Sequence, residues 1–139
     1  MKRILVVDDE ADIVELVKNR LEANNYDVIC ASDGKEAIKK AKEQKPDLIV
    51  MDILMPNMPG GDAVRLLRAD AATKHIPVIF LTAVMENMRQ GKEERVVNVG
   101  GKFLTAIAKP FKPEKLLFEI KRLLEADKED IQNENNTCC

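Results

Sequence analysis

Asp47-Leu48-Ile49-Val50-Met51-Asp52, followed by the Pro- and Gly-rich run Met55-Pro-Asn-Met-Pro-Gly-Gly61, is the stretch on which the fold turns. Four consecutive apolar residues between acids are too short for an ordinary helix and read as a strand buried on both faces. The loop after it is punctuated by residues that stop regular structure. Beyond the loop, Val64, Leu67 and Ala71 recur at helical spacing.

Working toward the N-terminus, Pro46 ends a helix that carries Ala37, Ile38 and Ala41 on its inner face and that Ser32 is placed to cap. Tyr26 to Ala31 reads as a strand, and Ala11 to about Ala23 as a helix with Ile13, Val14, Val17 and Leu21 in one stripe. Arg3 to Asp8 is the first strand. Toward the C-terminus, Pro77 to Thr82 is a fourth strand. A long mixed stretch, room for a fourth helix, leads to Gly100-Gly101, and a fifth strand follows from about Phe103 to Ala108. The last helix starts at Pro113, a residue suited to a first turn, and ends near Ala126. Strands alternating with helices at this spacing imply a five-stranded, doubly wound parallel α/β sheet with helices on both faces, because parallel neighbours need a crossover.

A chain of 139 residues, 45% hydrophobic and 33% charged, forms one domain without metal or disulfide staples. With 22 basic and 24 acidic residues its net charge is −2, and no basic cluster suggests direct nucleic-acid binding. The four strongly apolar residues from Ile4 to Val7 are far too few for a signal peptide or a spanning helix, so a cytoplasmic location and no membrane contact are expected. Cys30 lies in a strand-like run and Cys138-Cys139 in a polar tail, which is not a disulfide framework.

In doubly wound sheets the site lies outside the carboxyl ends of the strands. Asp8-Asp9, Asp52, Thr82 and Lys109 all fall at those ends. Taken singly, Asp8-Asp9 read as a helix cap, Thr82 as an ordinary strand residue and Lys109 as a solvated charge. Taken together, three carboxylates and one Lys call for either a raised carboxyl pKa or a further cation, and oxygen-only ligands suit Mg²⁺. No His or Cys stands nearby for zinc, and no Ser-His or Cys-His pair points to acyl transfer. Phosphoryl chemistry fits the set best.

Asp8-Asp9, Asp52-Ile-Leu-Met-Pro, Leu81-Thr82-Ala83 and Lys109-Pro110-Phe111 resemble the motif set of response-regulator receiver domains of two-component signalling, of the chemotaxis-regulator kind. The resemblance runs from about Lys2 to Glu125 and implies a flavodoxin-like strand order 2-1-3-4-5. It implies that Asp52 is the phosphoacceptor nucleophile. Asp9, Asp52 and the backbone carbonyl of Leu54 would ligate Mg²⁺, Asp8 would help through water, and Lys109 and Thr82 would contact the phosphoryl oxygens. It also implies a cis Lys109-Pro110 bond. The implied partners are a sensor histidine kinase or phosphotransfer protein, and an output protein or a second copy. These would bind at the face of the fourth helix, fifth strand and last helix, where Phe118 stands opposite the stripe Leu116, Leu117, Ile120, Leu123 and Leu124.

The sequence departs from that pattern in two places. The family places an aromatic residue three positions before the Lys, and here that position is Ala106. The stretch from Thr82 to Lys109 is also longer than the family norm by more than one helical turn. Within it Met85, Met88, Val96 and Val99 form a stripe that Gly91 and Lys92 weaken. The receiver unit is expected to occupy residues 1–126, with 127–139 a polar, disordered tail. Leu54 and Val84 beside the pocket are expected to slow loss of the phosphoryl group by excluding water.

Two other functions share parts of this signature. A haloacid-dehalogenase-type phosphatase also uses an Asp nucleophile with Mg²⁺, but its Asp-x-Asp pair after the first strand is absent. A phosphorylation-independent interaction module would keep the fold without the chemistry. The retained acids argue against it, and Ala106 leaves it room.

Overall fold

The computed structural model describes residues 1–53, 60–82, 94–99, 102–108 and 112–137, with only the backbone at 60–61, 82, 94–99, 102–104, 108 and 126–137. In chain order the elements are β1 (Arg3–Val7), α1 (Ala11–Ala23), β2 (Asp27–Ala31), α2 (Gly34–Gln44), β3 (Leu48–Asp52), α3 (Gly60–Ala69), β4 (Val78–Thr82), β5 (Glu94–Val99), β6 (Lys102–Ala108) and α4 (Pro113–Thr137).

Alternation along β3 shows why its apolar run is unbroken. Leu48 and Val50 enter one cluster with Val17 and Leu21 of α1 and Leu116 and Ile120 of α4. Ile49 and Met51 enter the other, with Ala37 and Ala41 of α2 and Val64 and Leu67 of α3. A strand covered on both faces has no solvent side on which to place polar residues. Each fully buried Leu, Ile or Met contributes about 1.5–3 kcal/mol.

The sheet order is β2-β1-β3-β4-β6-β5. β2, β1, β3, β4 and β6 are parallel in the expected order, so β6 is the fifth strand foreseen from the sequence. A sixth strand extends this sheet at its edge. β5 pairs antiparallel with β6, from Glu94 opposite Ile107 to Val99 opposite Lys102, in a stretch where a helix was expected. Its residues Glu-Arg-Val-Val-Asn-Val are rich in β-branched side chains, and Gly100-Gly101 is a strong signal for a two-residue hairpin connection. The stripe that suggested a helix counted Val96 and Val99 with Met85 and Met88, and those methionines lie outside the described residues.

Three local boundaries also differ from expectation. The cap of α2 is Asp33, whose side chain accepts from the Glu36 N–H at 2.8 Å. Ser32 instead donates its hydroxyl to Glu36 Oε2 at 3.0 Å. α3 stops at Ala69, and Ala71 is exposed beyond it. There Asp70 Oδ1 accepts from the Ala72 N–H at 2.9 Å, a local bond that competes with helix continuation. α4 runs to Thr137, past the end expected near Ala126, through residues that include neither Gly nor Pro to stop it.

The last helix also buries a charge. Glu119 is almost inaccessible and accepts from Arg122 at 2.6 and 2.9 Å, while Arg122 reaches Thr105 Oγ1 of β6 at 3.5 Å. A polar tether therefore joins α4 to the strand that leads to Lys109. Among the described residues no helix is long and apolar enough to cross a membrane.

Candidate metal centre and active site

Sheet pairing continues one residue beyond β1 and beyond β3, and this fixes the two buried acids. The Asp8 N–H donates to the Ala31 carbonyl of β2 at 3.2 Å, and the Ile53 N–H donates to the Leu81 carbonyl of β4 at 2.9 Å. Asp8 is 1% exposed and Asp52, the last residue of β3, is 3% exposed. Asp8 Oδ1 also accepts from the Glu10 N–H at 2.9 Å, a turn that starts α1 while holding the carboxylate on the rim.

Asp8, Asp9, Glu10 and Asp52 each place one ligand oxygen in a group whose members lie within 4.8 Å of one another. Asp9 and Glu10 are exposed. At such a separation two buried unit charges repel by about 3 kcal/mol or more, even at an effective permittivity of about 20. A hard divalent cation removes that repulsion, and oxygen donors are its preferred ligands. The chemistry of the donor set thus fits Mg²⁺ and does not fit zinc. Cys30 is not among the donors; burial pushes its thiol pKa up, against the pull of Lys18 and Lys40, so it stays protonated. The chain's one histidine, His75, precedes β4 and lies toward the other end of the sheet.

Of the residues expected at the site, Asp8, Asp9 and Asp52 come together in this group. Thr82 ends β4, in register with Ala108 of β6, which places its backbone on the same rim. Lys109 and Leu54 lie outside the described residues, as do Val84 and the Lys109-Pro110 bond. Glu10 was missed. Its signal was its place as the third acid of Asp8-Asp9-Glu10. Beside the acids, a cavity of about 500 Å³ opens between α1 and the end of β2, walled by Val14, Lys18, Cys30 and Ser32.

A doubly wound parallel sheet with an acid cluster at its carboxyl ends defines a class of phosphate-handling α/β domains. Within that class the chain belongs to the response regulator receiver domain family, whose model matches residues 4–121. It is 42% identical over 126 residues to the alkaline phosphatase synthesis transcriptional regulatory protein PhoP of Bacillus subtilis, covering 88% of this chain and 48% of that one. The chain spans about half the length of the curated relatives it matches. Among solved structures it is similar to the chemotaxis response regulator CheY4 of Vibrio cholerae, with a TM-score of 0.74, 33% identity and coverage of 88% and 98%. It is likewise similar to the receiver domain of the sensor histidine kinase PA1611 of Pseudomonas aeruginosa, with a TM-score of 0.75, 28% identity and coverage of 89% and 98%. That structure carries a magnesium ion coordinated in its active-site cleft. Domains of this family generally bind Mg²⁺ at an acidic site.

Proposed function

We propose that this receiver domain, residues 1–126, accepts a phosphoryl group on Asp52 from the phosphohistidine of a sensor kinase or phosphotransfer protein in the cytoplasm. The observation that carries the reading is the meeting of nearly buried Asp52 with Asp8 and Asp9 on one rim. A carboxylate oxygen of Asp52 attacks phosphorus in line, an O–P bond forms, the P–N bond of the donor breaks, and the imidazole departs. Asp9, Asp52 and the Leu54 carbonyl would hold Mg²⁺, and Asp8 would help through water. Bound Mg²⁺ supplies positive charge to the phosphoryl oxygens and a template for their placement. Lys109 and Thr82 would contact those oxygens.

The added group brings about −1.5 to −2 charge and three acceptor oxygens. Inverting a two-state population from 1:99 to 99:1 takes about 5.5 kcal/mol, which two or three charge-assisted hydrogen bonds at about 1.5–3 kcal/mol each supply. Output passes to a partner or a second copy at the α4 surface. There Phe118 is 61% exposed, with the Lys115 ammonium 5.8 Å from its ring centre and Lys121, Arg122 and Glu125 beside it.

Incubation with Mg²⁺ and acetyl phosphate tests the reading. The expected result is a mass gain of one phosphoryl group, lost in Asp52→Asn and on removal of Mg²⁺ with a chelator. Sustained release of phosphate from many esters would establish a phosphatase instead, and no mass gain would establish a module that works without phosphorylation.

A further inference from the structure

We infer that Glu119 is the positioning residue of the Phe118 surface. Through Arg122 it ties that surface to Thr105 of β6, so that a shift of β6 on phosphorylation reaches Phe118; the inference rests on the reading of Asp52 and of the α4 surface given above. Glu119 is 1% exposed, on the side of α4 that carries buried Leu116 and Ile120. An apolar residue there would need no desolvation of a charge, and replacing a buried ion pair by well-packed hydrophobic residues is often neutral or stabilising. A charge kept at such a place serves the arrangement of its partners rather than the strength of the core.

Those partners are divided between its two oxygens. Oε2 accepts from Arg122 Nε at 2.9 Å and from Arg122 Nη2 at 2.6 Å, while Oε1 faces the Lys115 ammonium at 3.8 Å. Lys115, Phe118 and Arg122 follow one another at intervals of three and four residues, so they stand in one row along the helix. Phe118 lies between the two cations that Glu119 holds. The Lys115 ammonium is 5.8 Å from the ring centre, and Arg122 lines the hollow beside the ring. Off the helix, Arg122 Nη2 also reaches Thr105 Oγ1 at 3.5 Å. Thr105 is in register with Ile79 of β4 on one side and Val96 of β5 on the other, so this contact enters the sheet between both neighbours of β6. The buried carboxylate is thus a junction between the sheet and the exposed ring.

The chain contains no tryptophan, so Phe118→Trp, which keeps an aromatic face for Lys115, puts a single indole fluorophore at the surface. Its emission is followed in the full chain during incubation with Mg²⁺ and acetyl phosphate, and the mass gain is measured on the same samples. Emission should change as the phosphoryl group is added. Adding Glu119→Gln, or Thr105→Val of nearly the same shape, should reduce that change at least about twofold with the mass gain intact. The two together should do little more than either alone, as members of one network do. Glu114→Gln, an exposed acid of α4 that faces Arg20 instead, should leave the change as it is. An undiminished change in either Glu119→Gln or Thr105→Val would overturn the assignment. An equal loss in Glu114→Gln would reduce the effect to bulk charge and overturn it too, as would a loss that merely follows a smaller mass gain. If the mass gain occurs and the emission of Phe118→Trp does not respond, the assignment of Glu119 fails alone. If the chain takes up no phosphoryl group, the reading of Asp52 fails with it.

Discussion

The carboxyl ends of β1 and β3 and the far side of the sheet, where β6 lies between β4 and β5, are built on opposite plans. At β1 and β3, pairing runs one residue past each strand and pins two nearly buried acids among exposed ones. At β6 the residue in the position of the family's aromatic is Ala106, wholly buried, in register with Phe80 on one side and Arg95 on the other. The first region brings Asp8, Asp9, Glu10 and Asp52 together. The second replaces a large ring by the smallest apolar side chain and adds an antiparallel strand. The acid cluster is set by the strand ends, and the far side by what packs along β6.

Phe80 is the heaviest component of that far side. Like Ala106 it is fully buried, and both belong to the cluster under α2 and α3. Phe80→Ala should cost about 3–5 kcal/mol in urea unfolding, the largest stability effect expected from the sheet. A cost near 1 kcal/mol would mean that the ring does not fill the space beside Ala106. The difference between the two regions would then rest on β5 alone.

Restoring the aromatic tests the same space from the other direction. At a fully buried position a tyrosine has nowhere to go without moving Phe80, so Ala106→Tyr should destabilise by about 1–3 kcal/mol. The yield of phosphorylated protein with acetyl phosphate should be unchanged, because Asp52 lies on β3, separated from β6 by β4. A variant as stable as the parent would show a vacancy shaped for a ring; a lower yield would show that the two regions are not separable.

The ease of reading the sequence followed the same division. Runs such as Ile4 to Val7 and Leu48 to Met51 can only be central strands, and their terminal acids follow from the rule for doubly wound sheets. Glu10 was harder, because a carboxylate at a helix start has a common structural use. β5 was harder still: Val96 and Val99 satisfy helical spacing as well as they satisfy a strand, and only Gly100-Gly101 favours the hairpin. Glu119 could not be foreseen from periodicity, since a charge on the inner side of α4 is tolerable because Arg122 and Lys115 pair with it from one turn on either side.

The smallest stability effect is expected where the consequence for binding is greatest. Phe118 is 61% exposed, and its ring centre lies 5.8 Å from the ammonium of half-buried Lys115, so Phe118→Glu should shift unfolding by no more than about 0.5 kcal/mol. Phosphorylation should be unaffected. Association should not be, because the substitution removes the apolar centre of the α4 surface and pairs off the cations around it. Sedimentation of the phosphorylated chain, alone and with a candidate output protein, measures this directly. If the variant associates as strongly as the parent, output leaves the domain elsewhere, and the β5–β6 hairpin becomes the surface to alter next.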